Sequence, residues 1–236
     1  MRSSSQLQWA LRGAVLLIAW VGLAVPRASA QVEASVQGGY TFSEGIVASE
    51  QRQVLGLRYD SLDVTSGGSF GFTIGAFVGP NFELEFLWDR QFSTVQISNP
   101  APDLTLADQN VDNYHGNFVY NWGEPDAKIR PFFFGGLGAT HYSPCDYDPS
   151  IPNSAGLARI SSHTKFSSTW GGGVKVYASP HVGIKGTARW TPTYIKSDSG
   201  GVWCDPFYPT CWVLADPDYS NQFQLSGGVT FRFGGR

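Results

Sequence analysis

Near the end of the chain, apolar and polar residues alternate without a break. Phe223, Leu225, Gly227, Val229, Phe231 and Phe233 interleave with Gln222, Gln224, Ser226, Gly228, Thr230 and Arg232. A period of two sends successive side chains to opposite faces of a strand. The same test picks out seven more segments: Val32 to Phe42, Ser69 to Val78, Phe82 to Phe92, Asp112 to Trp122, Arg130 to Thr140, Lys165 to Ala178 and His181 to Ile195. The fifth is ambiguous, because its aromatics run consecutively. The pattern predicts eight strands.

The connections alternate long and short. The long ones run about Ser43 to Gly68, Ser93 to Val111, His141 to Thr164 and Lys196 to Ser220. Between them lie Gly79-Pro80-Asn81, Gly123 to Lys128, and Ser179-Pro180. Compact soluble domains rarely hold loops beyond about 12 to 15 residues. Short turns at one end and long loops at the other are what a transmembrane barrel requires. The predicted fold is all-β: a closed antiparallel eight-stranded up-and-down transmembrane β-barrel.

Hydrocarbon offers no partner to a polar group, so the apolar set must face outward. Val36, Tyr40, Phe72, Ile74, Val78, Phe82, Leu84, Phe86, Trp88, Phe118, Tyr120, Trp122, Val174, Val176, Ile184, Ala188 and Trp190 are the expected lipid contacts. Glu83, Glu85, Asp89, Lys175, Lys185 and Arg189 then face the lumen as candidates for cross-lumen ion pairs. In the opposite register, Lys185 and Arg189 would each cost about 2 to 4 kcal/mol near the midplane. A lipocalin-like soluble barrel is the rival, but its outer surface would be Gln, Ser, Thr and Gly with few charges. An eight-stranded lumen is just wide enough for side chains to fill. Gly136, Gly171, Gly173 and Gly228 would either make room there or mark bulges and strand bends.

Composition agrees with this reading. Of 236 residues only 15% are charged, 28 are glycine and 14% are aromatic. The first thirty residues read as a cleaved signal peptide. Arg2 and Arg12 precede an apolar run from Ala14 to Val25, and Ala28-Ser29-Ala30 supplies the cleavage pattern. The expected mature barrel domain is 31–236. Losing Arg2, Arg12 and Arg27 leaves 13 basic and 19 acidic residues, a net of −6, so nucleic acid is not an expected partner. No later apolar run reaches the 18 residues of a membrane helix.

The eight-strand pattern, the Arg130-Pro131-Phe132-Phe133-Phe134-Gly135-Gly136-Leu137-Gly138 segment, Trp170-Gly171-Gly172-Gly173-Val174 and the terminal Gly227-Gly228-Val229-Thr230-Phe231-Arg232-Phe233 resemble the small outer-membrane β-barrels related to OmpA and OmpX. The chain departs from that family in placing Gly234-Gly235-Arg236 after the last Phe. The resemblance implies a bacterial outer-membrane location with both termini in the periplasm. The implied partners are outer-membrane lipid and lipopolysaccharide, with an extracellular ligand reached through the loops.

Candidate chemistry is sparse. Cys145, Cys204 and Cys211 lie in the predicted outer loops, and a Cys204–Cys211 disulfide would close the shortest ring, with Cys145 left over or pairing instead. No zinc spacing is present, and Asp146-x-Asp148 and Asp216-x-Asp218 read more readily as Asp-Pro turns than as calcium ligands. Ser161-Ser162-His163 is the one string suggesting a nucleophile beside a base. No catalytic residue, cofactor or metal is expected. Trp203, Phe207, Tyr208, Trp212 and Tyr219 crowd the last long connection, as a recognition surface or as a packed, headgroup-resting cluster. The expected role is structural or surface-interactive, in a monomer with a filled lumen and four extracellular loops. A narrow solute channel and a lipid-modifying enzyme are the alternatives.

Overall fold

The computed structural model describes residues 31–44, 46–54, 57–100, 103–147, 162–194, 202–204, 211–213 and 219–234. The proposed signal peptide therefore lies outside the described residues. Among them the chain forms only strands: β1 Val32–Ser43, β2 Ile46–Val54, β3 Leu57–Val64, β4 Gly67–Phe77, β5 Phe82–Pro100, β6 Leu104–Asn121, β7 Ile129–Tyr147, β8 His163–Tyr177, β9 Val182–Tyr194, β10 Val202–Cys204, β11 Cys211–Val213 and β12 Tyr219–Phe233.

Eight of these close on themselves in the order β1, β4, β5, β6, β7, β8, β9, β12, each antiparallel to both neighbours. The seam pairs Val32 with Phe233 and Ser43 with Gln222. No strand of the ring is left with an unpaired edge, the condition for a sheet to cross lipid. The result is the closed eight-stranded antiparallel barrel that the alternation predicts.

Side-chain exposure follows the strand period. Val36, Ile74, Leu84, Phe86, Phe118, Ile184, Leu225 and Phe231 point outward and are exposed, while Gln37, Thr73, Glu85, Asn117, Lys185, Gln224 and Thr230 point inward and are buried. The interior is polar and the exterior apolar, the inverse of a soluble protein. In β7 Phe132 and Phe134 turn inward and are buried, whereas Phe133 and Leu137 are exposed. Three consecutive Phe residues carry no phase; Arg130, buried on the same side as Phe132 and Phe134, sets it.

The long connections are a correction to the sequence reading. Ser43 to Gly68 holds β2 and β3, and β3 pairs with the far half of β5, Val64 opposite Val95 and Tyr59 opposite Pro100. Ser93 to Val111 is nearly all strand, since β5 and β6 stay paired through Ile97 and Leu104. β7 likewise continues to Tyr147, and Lys196 to Ser220 contains the β10–β11 hairpin. Once strands leave the hydrocarbon, water meets both faces, so pairing persists while the apolar alternation that marks it disappears.

Short turns gather at the other end. Residues 78–81 and 178–181 are tight, with Val78 N donating to Phe82 O and Ala178 N to Val182 O. Gly123, at φ 90°, opens the third turn in a conformation that side chains disfavour. Val32 and Phe233 lie at this same end.

Candidate functional site

The feature with the most chemistry is the lumen itself. β5 stands four strands from β9 around the ring, so the two face each other across the diameter. Acids are concentrated on β1 and β5 and bases on β8 and β9. Inward positions on a strand recur every second residue, so each wall presents its charges as a vertical ladder.

At the short-turn end, Lys175 Nζ lies 2.5 Å from Glu33 Oε1 and 2.9 Å from Glu83 Oε2. Tyr177 donates its hydroxyl to Glu33 Oε2 at 2.6 Å, and Asn121 Nδ2 donates to Glu83 Oε2 at 3.2 Å. One level up, Lys185 Nζ donates to Glu85 Oε2 at 2.6 Å and Asn117 Nδ2 to Glu85 Oε1 at 3.1 Å. Phe132 separates the two lysines, whose ammonium groups sit 5.3 and 5.2 Å from its ring centre. That geometry is favourable for a cation over an aromatic face. Above it, Arg189 Nη2 donates to Asp89 Oδ1 at 2.5 Å, and Gln224 Nε2 to Asp89 Oδ2 at 3.0 Å. All six luminal residues singled out from the alternation are thus brought together in pairs, with Glu33, Tyr177 and Phe132 as additional members. Glu33 was legible as an inward residue of β1 but lacked a neighbouring acid to draw attention to it.

A neutral layer follows. Asn113 Nδ2 donates to Gln222 Oε1 at 3.2 Å, again across a diameter, from β6 to β12. Thr140 Oγ1 donates to Asn113 Oδ1 at 2.7 Å and lies 3.0 Å from Ser167 Oγ, which is 2.9 Å from His115 Nε2. Ser167 and His115 form the serine–histidine contact that the sequence offered no hint of, since fifty-two residues separate them. His115 Nδ1 has no partner among the described residues, so no acid orients the ring, and both residues are buried. Of the string considered from sequence, Ser161 lies outside the described residues and His163 is exposed.

The inward glycines serve packing. A Cβ on Gly171 would stand 2.7 Å from Phe134 Cζ, and one on Gly173 would stand 2.9 Å from Phe132 Cζ. Gly136 and Gly228 back onto Asn117 and Gln37 in the same way. At all four positions a Cβ would also meet the backbone of the neighbouring strand, and at Gly171 and Gly173 its absence makes room for the β7 rings.

On the outer surface, Arg90 and Asp112 are opposite one another and form a two-pronged ion pair at 2.8 and 2.9 Å. His141, opposite Asp112 on the next strand, contacts Thr164 Oγ1 at 2.8 Å. This polar row interrupts the apolar series Phe82, Leu84, Phe86, Trp88 and marks where the lipid-facing band ends. β5 runs ten residues beyond Arg90 to Pro100, about 33 Å of strand.

Among the cysteines, Cys204 stands directly opposite Cys211 in the β10–β11 register, flanked by Trp203 opposite Trp212 and Val202 opposite Val213. The mirror-image strings Val202-Trp203-Cys204 and Cys211-Trp212-Val213 were a readable signal for that hairpin. Phe207 and Tyr208 lie outside the described residues, and the Tyr219 ring packs edge-on against Tyr194, 5.5 Å between centres. Among the described residues no group of three or more His, Cys, Asp or Glu side chains is placed to hold a metal.

A closed strand ring with an apolar outer band, an aromatic fringe and a charged, filled interior defines a transmembrane β-barrel. Residues 13–233 match the family model described as the outer membrane protein beta-barrel domain, and the chain belongs to that family of bacterial outer-membrane proteins. Solved structures with the same fold include the outer membrane protein OprG from Pseudomonas aeruginosa, 13% identical with a TM-score of 0.57, covering 87% of this chain and 96% of that one. AlkL, determined in DMPC lipid bilayers, is 14% identical with a TM-score of 0.51, covering 86% and 90%. Neisserial surface protein A is 16% identical with a TM-score of 0.50, covering 86% and 97%. No curated protein matches the sequence.

Proposed function

We propose that this protein is a non-enzymatic, monomeric outer-membrane barrel whose lumen is sealed and whose long strands carry a surface for contacts outside the cell. The observation that carries the reading is the pairing across the full diameter: Arg189 with Asp89 and Lys185 with Glu85 join opposite walls at two levels. Phe132 and Phe134 fill the space between the strands. A solute would have to break buried ion pairs one after another, each costing about 3 to 5 kcal/mol when one partner is left alone.

The orientation follows from construction. Turns of four to seven residues belong on the periplasmic side of such barrels and long excursions outside. Both described chain ends lie at the short-turn end, so the termini are assigned to the periplasm. The wall formed by β2, β3 and the far halves of β5, β6 and β7 then stands outside, resting at its base on lipopolysaccharide. Arg90 and Asp112 sit at that boundary, and an extracellular ligand would be met above it. The Cys204–Cys211 disulfide belongs to the same reading. Opposite residues of an antiparallel pair have Cα atoms about 4.5 to 5.5 Å apart, within the range that a disulfide spans.

Purified protein in planar bilayers tests the sealed lumen. No discrete conductance is expected from the native barrel; regular unitary steps would establish the narrow-channel alternative instead. Protease added to whole cells should cut only beyond the Arg90 level, leaving the short turns intact.

A further inference from the structure

Among the described residues the buried luminal charges do not balance, and the imbalance lies at one place. Its buried acids are Glu33, Glu83, Glu85 and Asp89; its buried bases are Arg130, Lys175, Lys185, Arg189 and Arg232. Each acid has a base within 3 Å. The surplus cation is at the short-turn mouth, where Arg130 and Arg232 sit beside Lys175 around one ring. The three cationic centres are 5.7, 5.8 and 5.7 Å from the centre of Phe77.

Neither arginine is satisfied there. Arg130, fully buried, donates one Nη2 bond to Pro80 O at 3.0 Å, and its Nε and Nη1 have no hydrogen-bond partner among the described residues. Arg232, 6% exposed, donates from Nη1 to Pro125 O at 3.2 Å and stacks 3.9 Å from the Tyr177 ring centre. Its Nη2 lies 3.5 Å from Glu33, whose carboxylate is already taken by Lys175 and Tyr177, and its Nε has no hydrogen-bond partner among the described residues. The carbonyl contacts pin both guanidinium groups to the turns that rim the mouth. Among the described residues no ion pair joins either arginine to Glu124 or Asp126, the acids that flank Pro125. Among the described residues Arg130 has no ion-pair partner and Arg232 only a share of Glu33. A buried guanidinium left with free N–H groups and incomplete counter-charge is costly, and its planar fork matches the two oxygens of a carboxylate or phosphate.

We propose that the short-turn mouth is a binding site for an oxyanion, a phosphate or carboxylate group held between Arg130 and Arg232. In the orientation given above it opens to the periplasm, and it is defined by charge and hydrogen bonds at the short-turn end alone, independent of the outer wall.

The test uses the full barrel with 15N-labelled arginine in phosphatidylcholine nanodiscs, in chloride buffer at fixed ionic strength. Inorganic phosphate and acetate are titrated separately while the Arg130 and Arg232 Nε–H resonances are followed. A saturable shift of both resonances with phosphate, with acetate or with both supports the site and identifies its preference. Arg232→Gln should weaken the response of Arg130 about tenfold, the loss of one charge-assisted bond. Arg232→Lys, which keeps the charge but not the fork, should retain part of it and serves if the Gln variant fails to fold. No saturable shift with either anion, or a shift of Arg130 unchanged by both substitutions, overturns the proposal and leaves water as the partner of those N–H groups.

Discussion

Replacing Asp89 by Leu leaves the Arg189 guanidinium buried at 2% exposure with its chief partner gone. Arg189 Nε and Nη1 already lack hydrogen bonds among the described residues, so the substitution strips the one strong contact the group has. Gln224 Nε2 loses one of its two acceptors at the same time and keeps Ser69 Oγ. Breaking a buried pair by removing one member costs about 3 to 5 kcal/mol, whereas replacing both by apolar residues of similar volume is often near neutral. Asp89→Leu should therefore lose about 3 to 5 kcal/mol, and the Asp89→Leu, Arg189→Met double variant should recover most of it. Equilibrium unfolding in urea from phosphatidylcholine vesicles reads this directly, using emission from Trp88, Trp170 and Trp190 on the outer face. A double variant as unstable as the sum of its two singles would show that the pair is not coupled, and the account of the lumen would fail.

Other expectations draw on different contacts. Leu225→Arg places a cation on the exposed outer face and should cost about 2 to 4 kcal/mol in the same vesicle assay; a loss below about 0.5 kcal/mol would mean that Leu225 does not meet hydrocarbon. Gly173→Val drives a side chain into Phe132 and the neighbouring backbone, and overpacking of that sort costs about 1 to 3 kcal/mol. Unchanged midpoints would show room in the lumen that the fold denies. Alkylation of unreduced protein should tag Cys145 alone, with Cys204 and Cys211 protected until reductant is added; three tags before reduction would refute the bridge.

How much of this was visible in the sequence depended on whether lipid touched the residue. Ile184 and Lys185 were separable because hydrocarbon penalises one exchange and not the other, and the same contrast placed Glu85 and Arg189 indoors. It vanished at Gln96 and Thr105, whose hydrogen bond at 3.1 Å belongs to the strand extensions beyond the apolar band. The hairpin of β2 and β3 was hidden for the same reason. Phe132 and Phe134 were hidden by their neighbour Phe133, and His115 beside Ser167 by the distance between them along the chain. Arg90 was the residue most easily misread. It falls on the lipid face by parity, and the opposing Asp112 together with the Trp88 ring, 5.8 Å from its guanidinium, helps explain how a cation can stand there.

Alternation decides which way a side chain faces but says nothing of depth, because a slip of two residues preserves the pattern. Lipid cannot supply the missing information, being nearly uniform along the band. The luminal charges can. Glu85 and Asp89 are four residues apart on β5, and Lys185 and Arg189 are four apart on β9, a strand running in the same direction around an up-and-down ring. Both pairs form together only in the observed register. A slip of two breaks both pairs: one direction faces all four charges with neutral positions such as Leu87 and Thr187, the other offers a new acid, Glu83, to Lys185 alone. A slip of four pairs one acid with one base and orphans the other two. At about 3 to 5 kcal/mol for each orphaned partner, the wrong registers lie well above the native one. β5 and β9 never touch as neighbours, so this discrimination acts only as the ring closes, and it selects the height at which β5 and β9 face each other.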